Sequence, residues 1–73
     1  MKRLSELKKG EKARIVRIVG PPYVRMKLLN IGLIPGTYIK MITEAPFGDP
    51  IEVEAKGSYI AIRRREAFWV FVE

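Results

Sequence analysis

From Lys12 to Val19, apolar and polar residues alternate in a run rich in β-branched side chains, which predicts a first strand. The alternation slips where Ile15 and Val16 adjoin, so this strand must bulge, or bend to serve two layers of core. Gly20-Pro21-Pro22 ends it. From Tyr23 to Ile31 the period lengthens: Val24, Leu28 and Ile31 fall at i, i+4 and i+7, with Gly32 placed to cap the end, the pattern of one helix facing the core. Pro35 and Gly36 mark a type II turn. Period two returns in three short strands, Thr37 to Glu44, Ile51 to Ala55 and Tyr59 to Arg63, and a last strand runs from Phe68 to Val72. Ile51, Val53 and Ala55 alternate with Glu52 and Glu54, which gives that strand one wet face. Ahead of all of these, Ser5, Glu6, Leu7 and Gly10 form a turn that tucks Leu4 and Leu7 under the sheet. About five strands and one short α-helix predict a mainly β fold. A small, partly closed SH3-like barrel suits this pattern, because closure removes edges that a single sheet would expose.

Length and composition narrow this further. At 73 residues there is room for one domain, spanning residues 1–73, and 48% apolar residues match an ordinary globular core. A chain of this size buries only roughly 60% of the surface its unfolded form exposes, so the core must be compact. No cysteine is present, which excludes a disulfide framework and points to the cytoplasm. Met1 to Lys9 is basic but lacks the apolar stretch of a signal peptide, and no run approaches the ~20 apolar residues that span a bilayer. Net charge is +6, unevenly placed: residues 1–40 carry +8 and residues 41–73 carry −2. Such polarity steers the basic half toward an acidic protein, a nucleic acid or an anionic surface.

Chemistry is sparse. There is no histidine, so the commonest general base and transition-metal ligand is missing along with the cysteine thiolate. Ser5 and Ser58 have no activating base, and no glycine-rich run has phosphate-cradling spacing. The chain is therefore expected not to be an enzyme, and no cofactor is implied. Glu44, Asp49, Glu52 and Glu54 are close in sequence but read as turn and wet-face acids rather than a metal site. Arg63-Arg64-Arg65 reads as a solvated turn beside Glu66.

Three stretches together resemble the FeoA family. Leu4 to Ile18, LSELKKGEKARIVRI, is similar to that family's leucine-containing turn, glycine and first strand. Leu28 to Ile39, LLNIGLIPGTYI, resembles its helix end and the Pro35-Gly36 turn that follows. Glu44 to Ala67 carries Ala45-Pro46, Gly48-Asp49-Pro50, Ile60-Ala61-Ile62-Arg63 and Glu66-Ala67 in the family's order. The resemblance implies a non-catalytic cytosolic accessory protein of ferrous iron uptake. Its implied partner is the cytosolic portion of the FeoB-type transporter, a membrane protein with a GTPase portion.

For such a role the candidate partner-binding residues are Tyr23, Arg25, Met26 and Leu29 on the helix and Phe47 in the loop between two prolines. A large apolar side chain in a Gly/Pro turn either folds back over the core or stands out as an anchor. Two other readings are weighed against this one. The first is a regulatory domain related to the C-terminal barrel of metal-dependent repressors, against which stands the lack of a helix-turn-helix. The second is a basic barrel binding nucleic acid, against which stands the gathering of Phe68, Trp69 and Phe71 in one apolar strand rather than across a surface. That same last strand, apolar on both faces, is also a candidate edge for self-association.

Overall fold

The computed structural model describes residues 1–73 and places a strand where the sequence shows no alternation, because two residues are too few to show any. This is β1 (Lys2–Arg3). The chain then turns through a 3-10 segment, Leu4–Glu6, where the Arg3 N–H donates to Glu6 Oε1 at 2.6 Å. Leu4 and Leu7 enter the core as expected.

β2 (Lys12–Ile18) divides its pairing between two neighbours. α1 (Pro22–Asn30) follows, and then β3 (Tyr38–Glu44), β4 (Ile51–Ala55), β5 (Ser58–Ile62), α2 (Arg64–Ala67) and β6 (Val70–Val72). The first half of β2 pairs with β3, Lys12↔Lys40 through Arg14↔Tyr38. Its second half pairs with β6, Ile15↔Val72 and Ile18↔Val70, and the register shifts between Ile15 and Arg17. The slip in the hydrophobic pattern at Ile15-Val16 is thus a β-bulge, and the strand changes partners there. The result is one antiparallel sheet ordered β1-β6-β2-β3-β4-β5. It coils in the SH3 manner but stays open, since β1 and β5 do not pair with one another.

Helix α1 begins with Pro22 in its first turn, where the missing N–H costs nothing. It ends in a Schellman turn. The Gly32 N–H donates to Leu29 O and the Leu33 N–H to Leu28 O, both at 3.0 Å, and Gly32 takes φ +95°. This turn corrects one expectation. The helix stops at Asn30, so Ile31 swings outward and is 40% exposed, while Leu33 comes back to join Leu28 in the core.

The last strand also differs. Residues 64–67 are helical rather than a loop, because Glu66 reaches back to accept the Arg63 N–H at 3.2 Å and so caps α2. β6 is consequently shorter than expected and begins at Val70. It lies between β1 and β2, with both edges paired, so it offers no edge for self-association. Six strands are present rather than five, around a core of Leu, Ile, Val, Met and Ala drawn from every strand except β1.

Candidate protein-interaction face

Val24 and Leu28 turn α1 toward the core. At about 100° per residue, Met26 then lies directly opposite them, with Tyr23 and Leu29 about 60° to either side. These three apolar side chains form one outward ridge, and Met26 is 57% exposed. Lone exposed hydrophobics are ordinary, but a ridge of three on one short helix is a patch. Arg25 sits lower on the helix flank, where its guanidinium donates to Gly20 O at 2.7 Å and ties the helix to the turn before it. Gly20 is itself pressed against the Trp69 ring.

Phe47 does not fold back. It is 99% exposed, at the tip of a loop closed by Gly48 N–H to Ala45 O at 2.7 Å and Ala45 N–H to Pro50 O at 2.9 Å. Arg64 holds this loop from below. Its N–H donates to Asp49 Oδ1 at 2.8 Å, its Nε to Gly48 O at 2.5 Å, and its remaining guanidinium nitrogens bond Ser5 O and the Glu44 carboxylate. Arg64 is therefore a buttress rather than part of a solvated charge run. The loop presents Phe47 on a fixed base.

No hydrogen bond or ion pair joins α1 directly to the Phe47 loop. They are linked through α2: Arg64 grips the loop, and two residues on, Glu66 accepts from Lys27 Nζ of α1 at 2.5 Å. Glu66 is buried, and the hydrogen bond from Lys27, with the Arg63 N–H and neighbouring positive charge, holds its carboxyl below the usual carboxylate range despite desolvation. Neither the buttress nor the tie was read from the sequence. The one available signal was Glu66 three residues after Arg63, the spacing of a helix N-terminal cap.

Beyond α2, Arg3 stacks over Phe68 at 4.1 Å and over Phe71 at 5.0 Å, and Arg17 lies 5.4 Å from Phe71. Phe68 and Phe71 gather around Arg3, but Phe68 and Trp69 precede the last strand rather than lying in it, and these residues are not the whole aromatic surface. Tyr38 and Tyr59 stand exposed on the outer face of the sheet, where cross-strand pairing runs Lys12, Lys40, Glu54, Tyr59 from β2 to β5. Aromatic side chains are therefore present on the surface, contrary to expectation.

Of the four acids close in sequence, Glu44 and Asp49 are engaged by arginines, and no three His, Cys, Asp or Glu side chains come together as a metal-ligand group. No helix is long and apolar enough to cross a membrane.

These features define an open SH3-like β-domain with an exposed apolar ridge and tip. More particularly, residues 2–73 match the FeoA domain model, and the chain belongs to the FeoA family. It is 35% identical over 71 residues to the Fe(2+) transport protein A/Fe(2+) transporter FeoB fusion protein of Porphyromonas gingivalis, covering 97% of this chain. The chain spans 8% of that fusion protein's length. The solution structure of FeoA from Chlorobium tepidum superposes with a TM-score of 0.89 at 41% identity, covering 97% of this chain and 68% of that one. The crystal structure of Stenotrophomonas maltophilia FeoA with zinc, described as a prokaryotic SH3-domain protein, gives 0.85 at 25% identity, covering 100% and 91%. A manganese-dependent transcriptional repressor shares the fold alone, with a TM-score of 0.91 at 18% identity over 35% of its length.

Proposed function

We propose that this domain is a non-catalytic cytosolic accessory of ferrous iron uptake that binds and modulates a FeoB-type transporter. The observation that carries this reading is the fusion, in one P. gingivalis chain, of a segment 35% identical to this one with a FeoB transporter. Fusion keeps two partners at high effective concentration, which marks the domain and the transporter as working together in that chain. The contact surface in this reading is the α1 ridge of Tyr23, Met26 and Leu29, with Arg25 at its flank and Phe47 as a second anchor. Both anchors are exposed, apolar and held on fixed backbone, which lowers the ordering cost of binding. Modulation follows from binding one state of the transporter more tightly than another.

The test is a titration of the domain against the detergent-solubilised FeoB-type transporter and against its GTPase portion, with nucleotide varied. Saturable binding that Met26→Asp with Phe47→Asp weakens at least about tenfold supports the reading. Wild-type affinity in that variant refutes the surface, and absence of binding to either preparation refutes the partner. A second reading is favoured by Tyr38 and Tyr59 exposed on the outer sheet face, where Lys12 and Lys40 lie near Tyr38 and Glu54 separates Lys40 from Tyr59: single-stranded nucleic acid on that face. A steeply salt-dependent affinity for an oligonucleotide, lost on Tyr38→Ala, would select it.

A further inference from the structure

The free side of β5 is a surface that the proposed function leaves unused. β5 ends the sheet order, and its five residues, Ser58-Tyr59-Ile60-Ala61-Ile62, include no charge, proline or glycine. Natural edge strands are usually blunted by one of these. None of the side-chain, turn, loop or cap hydrogen bonds of the protein involves these residues, so their backbone groups turned away from β4 stand unpaired. The opposite edge, β1, is two residues long and offers no comparable template.

Charge at the two ends of β5 selects what can pair with it. Lys56 precedes the strand, is exposed and takes part in no ion pair; Arg63 follows it and is held only loosely, 3.7 Å from Asp49. A second copy pairing antiparallel with Ile60 opposite Ile60 would set Lys56 opposite Arg64 and Gly57 opposite Arg63, bringing like charges together at both ends. Each copy also carries a net +6. Self-pairing is therefore opposed where an acidic segment is favoured.

We propose that β5 takes up an extended segment of a partner protein as a seventh strand, an uncharged β-forming run with an acidic residue at each end that meets Lys56 and Arg63. Main-chain hydrogen bonds supply the affinity and the flanking acids supply the selection. Tyr59 and Ala61, both exposed, are the side chains beside which the incoming strand lies. This inference uses a different surface from the α1 ridge and does not depend on the identity of the transporter.

The experiment titrates the 15N-labelled domain with the synthetic peptide Glu-Glu-Val-Thr-Val-Thr-Val-Glu-Glu. Controls are the same core with lysine at both ends, and two glutamate-ended peptides N-methylated on one or the other alternate set of core amides. The expected result is chemical-shift change centred on residues 58–62, with outward amides of β5 exchanging at least about tenfold more slowly. The lysine-ended peptide binds about tenfold more weakly. One methylated peptide loses binding and the other keeps it, because an added strand uses only one of its two edges. No shift at β5 with about 1 mM peptide overturns the proposal, as does equal binding of both methylated peptides or of the lysine-ended one. Dimerisation of the free domain with β5 amides already protected would assign the edge to a second copy and overturn it too.

Discussion

Gly20→Ala is the substitution for which the structure gives the clearest arithmetic. Two costs fall on it. Gly20 has φ +98°, a left-handed conformation that costs an L-residue about 1–2 kcal/mol. A Cβ built there would also lie 2.6 Å from Trp69 Cδ2 and 2.7 Å from Trp69 Cγ, well inside van der Waals contact. The ring cannot simply swing aside, because it packs against the core and edge-on to Phe68 at 5.3 Å between centroids. Overpacking of this kind costs about 1–3 kcal/mol. The sum is about 2–5 kcal/mol, a large share of a small domain's stability. Gly32→Ala separates the two terms: its φ is +95°, but an added Cβ meets no heavy atom within 4 Å, so only the backbone cost of about 1–2 kcal/mol applies. Urea unfolding followed by far-UV circular dichroism, a readout that does not depend on Trp69, measures both. A double-mutant cycle with Trp69→Ala completes the test, since removing the ring should return Gly20→Ala to the cost of Gly32→Ala. Equal destabilisation by the two alanines in the wild-type background would refute the close-approach argument.

Other expected outcomes test the supports of the two anchors. Arg64→Ala removes the side-chain hydrogen bonds to Gly48, Ser5 and Glu44 while keeping the backbone N–H to Asp49, and should cost about 2 kcal/mol in thermal unfolding; Arg64→Lys should recover little, since an ammonium cannot span these directions. Glu66 has a carboxyl pKa lowered in the folded state by Lys27, so its contribution is complete above its unfolded pKa of about 4.3 and is lost as pH falls through the lower folded value. The measurement is stability against pH from 7 downward: wild type should decline below about pH 4.5, and Glu66→Gln should be less stable at pH 7 with a shallower acid decline. Met26→Asp and Phe47→Asp, both at exposed positions, should shift unfolding by less than about 0.5 kcal/mol, which heat denaturation checks before any binding result is interpreted.

Strands β2 to β5 and helix α1 were legible because each is long enough to show its period, and the Ile15-Val16 slip even located the bulge. Local patterns read well where burial alternates with exposure. β1 was illegible because Lys2-Arg3 carries no apolar period and exists only because β6 has a free side to cover. α2 was missed for a related reason: in Arg64-Arg65-Glu66-Ala67 the apolar content is one alanine, and the helix is held by Glu66 and Arg64 bonding across the fold. Ile31 was misplaced because helical periodicity was extended one residue past the point where the Schellman turn redirects the chain. Of the candidate site, the exposure of Tyr23, Met26 and Leu29 follows from Val24 and Leu28 facing inward. That of Phe47 could not be decided, since a Gly/Pro loop permits either outcome.

The misread segment turns out to connect the two halves of the proposed contact. Arg64 and Glu66 are two residues apart on α2, and the first fixes the Phe47 loop while the second fixes α1 through Lys27. If both anchors meet one partner, their relative position depends on this short helix rather than on direct contact between them. Both ties are made by charged side chains to groups outside their own element, so they are strong only while α2 keeps its helical form. The Arg63 N–H bonded to Glu66 Oε1 preserves that form, and the same carboxylate holds Lys27. A single buried glutamate therefore both caps the helix and spaces the anchors. Truncating it should loosen the Phe47 loop and the α1 ridge together, although it touches neither apolar anchor.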